Sequence, residues 1–110
     1  KHFAGIEIIP TPGHTAGSIS FLYDSPHGFT YLFTGDTLFQ SHGRWDTLFF
    51  TNAGGSTRDL ADSLRLYQTL EPDVVISSAS TSVDRAVMEV EPAEWRAALD
   101  DNIRRLQSLA

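Results

Sequence analysis

Thr11-Pro12-Gly13-His14-Thr15-Ala16-Gly17-Ser18 and, one hairpin later, Tyr31-Leu32-Phe33-Thr34-Gly35-Asp36-Thr37-Leu38-Phe39 are the stretches that decide how this chain reads. The first is a loop by its proline and glycine content. It sets an imidazole at a strand end, on backbone stiffened by Pro12 and able to turn at Gly13 and Gly17. A metal ligand needs such a fixed aim, because metal–nitrogen distances tolerate only about 0.2 Å of error. The second stretch is an apolar strand that ends in one carboxylate, Asp36, behind a glycine. Taken singly, each has a plain explanation. His14 reads as a polar loop residue and Asp36 as the start of a turn.

Outward from these stretches the elements follow from pattern. Gly5–Pro10 is β-branched and closed by Pro10 and Pro12, which predicts a strand. Ser18–Tyr23 and Phe29–Thr34 predict two more, joined as a hairpin through the turn cluster Asp24–Gly28. Residues 37–55 read as a long connection, in which Leu48-Phe49-Phe50 is a short strand or a buried loop wall. Ser56 is a plausible N-cap, with Asp59 in the first turn. Leu60, Leu64, Tyr67 and Leu70 then recur at helical spacing until Glu71-Pro72. Asp73–Ser77 predicts a short buried strand. Pro92 opens a last helix to about residue 108, with Trp95, Leu99, Ile103 and Leu106 on one face. Three strands, a helix, a strand and a helix give an α/β class, with a sheet packed by helices on one face.

Composition narrows the function classes. The 110 residues allow one domain or part of one. There are no cysteines, so disulfides and thiolate ligands are excluded and a metal must be held by His and carboxylates. The net charge of −6, with Lys1 the only lysine and the arginines scattered, argues against nucleic acid as a partner. No apolar run approaches the roughly 20 residues of a membrane span. No secretory leader opens the sequence, so the expectation is a cytoplasmic protein acting away from membranes.

Joined in this order, the TPGHTxGS element, the hairpin and LFTGDTLF resemble the metallo-β-lactamase superfamily, especially its glyoxalase II-like members. The likeness runs on through Gly43-Arg44 to the strand at Asp73-Val74-Val75-Ile76. It implies one half, the C-terminal one, of an αββα sandwich, with residues 1–110 as that half and the helices on its outer face. It implies His14 and Asp36 as metal ligands, with Asp36 bridging two ions and so counted as catalytic. The cofactor implied is zinc, or iron or manganese, one or two ions. The activity implied is hydrolysis of an ester, thioester or related bond in a small-molecule substrate, by water activated at the metal. The sequence departs from the family in two places. It has no HxHxDH element, which the family carries in its N-terminal half. It also has Ser77-Ser78-Ala79-Ser80 where the family has a Pro-Gly-His-Gly run, so the last histidine ligand falls on Ala79. These departures support an alternative, a non-catalytic domain of the same fold with a binding or scaffold role. They also imply an altered or mononuclear site, with this chain inactive by itself.

The remaining polar residues are weaker candidates. His42 and Arg44 follow Asp36 on the presumed active edge, where they would line a substrate cleft, Arg44 as an anion contact. His2 is expected before the first strand and His27 in the hairpin turn, both solvated. Ser77, Ser78 and Ser80 lack the G-x-S-x-G elbow of a serine nucleophile. An apolar inner sheet face is also expected. It requires cover from an N-terminal half or a second copy of the chain, since soluble monomers avoid such patches.

Overall fold

The computed structural model describes residues 2–3, 5–41, 43–49, 51–77 and 87–109. In chain order the elements are β1 (His2–Phe3), β2 (Ile6–Pro10), β3 (Ile19–Asp24) and β4 (Thr30–Gly35), then β5 (Phe39–Ser41) and β6 (Arg44–Asp46). A 3-10 turn (Thr51–Ala53), α1 (Thr57–Thr69), β7 (Val74–Ser77), β8 (Val87–Glu89) and α2 (Pro92–Leu109) complete it. The predicted strands and both helices are present. Residues 37–55 are not one irregular connection, because they contain the β5–β6 hairpin and the 3-10 turn. His2 does not precede the sheet; it lies in β1, paired with Glu7 of β2.

The main sheet has the order β1-β2-β3-β4-β7-β8, and only β4 and β7 pair in parallel. β2, β4 and β7 therefore run in one direction and finish on the same edge of the sheet. That edge receives the loop with His14, the turn with Asp36 and the end of β7 at Ser77. The parallel pair needs a long crossover, and β5, β6 and α1 supply it.

Both helices lie on one sheet face. Leu32 of β4 and Val75 of β7 share a single buried cluster with Leu60, Leu64 and Tyr67 of α1 and with Trp95, Leu99, Ile103 and Leu106 of α2. Burying each such side chain stabilises the fold by about 1.5–3 kcal/mol. Ser56 caps α1, its Oγ accepting from the Asp59 amide at 3.0 Å. The amide of Leu70 closes the other end on Tyr67 O, and Pro72 follows shortly after. At the centre the Trp95 ring meets Trp45 edge-on, with centroids 5.6 Å apart, and its Nε1 donates to Tyr67 O.

Among the described residues no helix covers the opposite face. Register aligns Ile8, Phe21, Phe33, Ile76 and Val87 across five strands, an unbroken apolar row. Ile8, Phe21 and Val87 are exposed. The expected apolar inner face is therefore present.

Candidate functional site

The loop 11–18 is folded by its own backbone and pressed onto α1. Thr11 N donates to Ser18 O at 2.9 Å and Gly13 N to Thr15 O at 3.0 Å. From the helix side, Ser56 N donates to Gly13 O and Ser63 Oγ to Pro12 O, at 3.0 and 2.7 Å. Gly13 has φ of 136°, and a Cβ there would stand 2.3 Å from Leu60 Cα. No other residue fits, both for conformation and for space. These contacts fix where the His14 backbone sits.

A separate contact fixes where its ring points. His14 Nδ1 lies 2.9 Å from Leu48 O. A carbonyl only accepts, so Nδ1 donates, and Nε2 is the nitrogen left to face the site. Nε2 faces Asp36 Oδ2 at 3.9 Å. That distance is too long for a hydrogen bond. It is slightly below the roughly 4.2 Å sum of a zinc–nitrogen and a zinc–oxygen bond, so an ion fits between the two atoms at a bent angle. Asp36 follows β4 directly, on a turn closed by Thr37 N donating to Thr34 O. The pair fits a metal as two of its ligands. Among the described residues no three His, Cys, Asp or Glu side chains gather as a metal-holding group.

Beneath the pair lies a buried hydroxyl cluster that sequence reading did not find. Tyr67 Oη of α1 meets Ser20 Oγ of β3 at 2.6 Å, and Ser20 Oγ meets Thr11 Oγ1 at 2.7 Å. Thr37 Oγ1 is buried nearby and acts on the Tyr67 phenol, but makes no hydrogen bond of its own among the described residues. The cluster ties the start of the His14 loop, at Thr11, to β3 and α1. Burial raises the Tyr67 phenol above its ordinary 10.0, against the lowering effect of the neighbouring hydroxyls, so it remains a donor.

The other predicted residues fall as follows. Arg44 is exposed on β6, on the wall of a cleft of about 750 Å³ shared with Ser41, Trp45, Asn102 and Arg105. His42 and Ala79 lie outside the described residues, as do Phe50, Ser78 and Ser80. His27 is exposed in the β3–β4 turn, as expected. Leu48 corrects the reading of residues 48–50, for it is neither strand nor buried wall. Its side chain is 52% exposed while its carbonyl holds His14. Phe49 does pack against the core.

A family model described as the metallo-beta-lactamase superfamily matches residues 2–79, most of the chain. This chain belongs to the metallo-beta-lactamase superfamily. Over 43 residues, 38% of its length, it is 56% identical to a probable metallo-hydrolase of Methanocaldococcus jannaschii, of which the match covers 18%. Among solved structures it resembles ETHE1 from Myxococcus xanthus, with a TM-score of 0.56 and 27% identity. That match covers 94% of this chain and 45% of the other. A metallo-beta-lactamase superfamily protein from Sulfolobus tokodaii shares the fold, with a TM-score of 0.55 at 18% identity over 96% of this chain and 34% of its own. The superfamily member described here thus spans less than half the length of either solved structure. Among its described residues no helix is long and apolar enough to cross a membrane.

Proposed function

We propose that this chain contributes two metal ligands, His14 and Asp36, to a metal-dependent hydrolase whose remaining ligands come from an N-terminal half. The observation that carries this reading is the His14 ring, oriented by Leu48 O so that Nε2 faces Asp36 Oδ2 at 3.9 Å. Histidine ligands are characteristically held in this way, the second ring nitrogen donating to a carbonyl or carboxylate. The chemistry that a bound zinc, iron or manganese ion supplies is Lewis-acid polarisation of a carbonyl and acidification of water. The chain's own residues do the rest. His14 and Asp36 offer fixed lone pairs for the hydrolysis of a small-molecule ester or thioester, while Arg44 lines a cleft that contains neither of them. The N-terminal half also covers the apolar row at Phe21 and Phe33.

Ala79, at the family's last histidine position, favours a second reading, a non-catalytic domain with a binding or scaffold role. Metal analysis of the full-length protein separates the two. The hydrolase reading expects at least about one equivalent of metal, lost in His14→Ala and in Asp36→Ala. It also expects chelator to lower the melting temperature of wild type and to leave His14→Ala unmoved. Metal below about a tenth of an equivalent, with no chelator effect on wild type, overturns it in favour of the scaffold.

A further inference from the structure

The segment Thr47-Leu48 reaches the His14 ring and the residue after Asp36, though neither of its side chains is a histidine or carboxylate. Leu48 O accepts from His14 Nδ1 at 2.9 Å. One residue earlier, Thr47 Oγ1 donates at 2.7 Å to the carbonyl of Thr37, the residue after Asp36. Thr47 is 2% exposed, so this hydroxyl has no water to exchange with and its bond is enforced. The segment is therefore a bridge from the His14 ring to the Asp36 turn.

The bridge is itself held from α2. Thr47 N donates to Asp46 Oδ1 at 2.8 Å, and Arg105 Nη2 donates to the same oxygen at 2.6 Å. Arg105 Nη2 also donates to Asn102 Oδ1. Asn102 is 5% exposed and spends its Nδ2 on Trp45 O at 3.1 Å and Ala98 O at 2.9 Å. One face of the C-terminal helix thus grips the end of β6, at Trp45 and Asp46, where the bridge begins. This helix lies beyond residue 79, where the family match ends.

We propose that Thr47, clamped through Asp46 by Arg105 and Asn102, is a positioning residue that sets the separation of His14 Nε2 and Asp36 Oδ2. The reason is geometric. The Leu48 carbonyl holds the ring, and the hydroxyl of Thr47, one residue earlier on the same backbone, holds the turn after Asp36. Because the segment touches both sides, loss of either contact lets one ligand shift relative to the other. An exposed Asp–Arg pair adds little stability, so its value here is in direction. Outer partners of metal ligands are commonly worth 10- to 100-fold in metal affinity.

The proposal rests on the ligand reading above, and the test keeps the two apart. Cobalt(II) is titrated into the full-length protein as wild type, His14→Ala, Thr47→Val, Thr47→Ser and Arg105→Gln, following the visible absorption bands, with melting curves taken in chelator. Thr47→Val keeps the shape and removes the hydroxyl. It is expected to raise the cobalt Kd about tenfold or more and to shift the bands. Thr47→Ser restores both, and Arg105→Gln moves them in the same direction by less. A purely structural role would lower the chelator melting temperature while leaving Kd and spectrum at wild-type values, and that result overturns the proposal. Should Thr47→Val not fold, Arg105→Gln decides alone, since its side chain is on the surface. Wild type that takes up no more cobalt than His14→Ala sinks the ligand reading and this proposal together. Wild type that binds, with Thr47→Val and Arg105→Gln binding equally well, sinks only the bridge.

Discussion

Two rows of the same sheet, one residue apart in register, have opposite surroundings. Leu22, Leu32 and Val75 line up beneath the helices, and Leu32 and Val75 are wholly buried. One step along, Phe21, Phe33 and Ile76 point the other way, and Phe21 is exposed. Strand alternation normally pairs an apolar face with a polar one when one side meets water. Here both faces are apolar, so the sequence is written for a sheet covered on both sides. α1 and α2 cover one side, and among the described residues no helix packs on the other.

The largest effect is expected on the side the helices cover. Leu32→Ala removes a side chain with no exposed surface and should cost about 2–5 kcal/mol, read from urea unfolding of this chain. A cost below about 1 kcal/mol would mean that the helices do not seal this face. Next comes Tyr67→Phe, which leaves Ser20 Oγ and Thr11 Oγ1 without the phenol and should cost about 1–2 kcal/mol. It should also change the alkaline limb. The folded state holds the Tyr67 proton more tightly than the unfolded state, whose phenol titrates near 10.0. The stability from this group is thus complete below that pH and declines as pH rises past it. Unfolding free energies measured from pH 8 to 11 should fall in wild type and fall less in Tyr67→Phe. Parallel curves would remove Tyr67 from the account. The smallest effect is expected on the open side. Phe21→Ser should change the stability of this chain by less than about 0.5 kcal/mol while reducing its binding of a hydrophobic dye. In a protein that carries the covering half, the same substitution should cost about 3 kcal/mol or more. Equal costs in the two contexts would mean that nothing packs on that row.

The sequence reading succeeded where pattern is long enough to be periodic. Trp95, Leu99, Ile103 and Leu106 announced α2, and Ser56 with Asp59 marked the start of α1, because caps and helical spacing are local signals. β5 and β6 were missed because three-residue strands such as Arg44-Trp45-Asp46 contain no alternation to detect. β1 and β8 are equally short edge strands, paired by tertiary contact rather than by composition. His14 and Asp36 were singled out through their side chains and their place in a known motif, and the fold sets them 3.9 Å apart. Leu48 was not, since every residue has a carbonyl and nothing in the letter says which one meets a histidine. Thr47 and Tyr67 were passed over for a related reason. Their hydroxyls matter through partners 10 and 47 residues distant, and separation of that kind leaves no local trace.

Leu48 turns its side chain outward while its main chain does the work of orienting His14. The identity of residue 48 is therefore uncoupled from the contact it makes, provided the backbone path is kept. Because the chain has no cysteine of its own, Leu48→Cys would be a unique thiol. A fluorophore or spin label attached there would sit on the residue whose carbonyl holds the imidazole, without replacing any group the site uses. A position that the motif never pointed to is thus the natural place from which to watch the site.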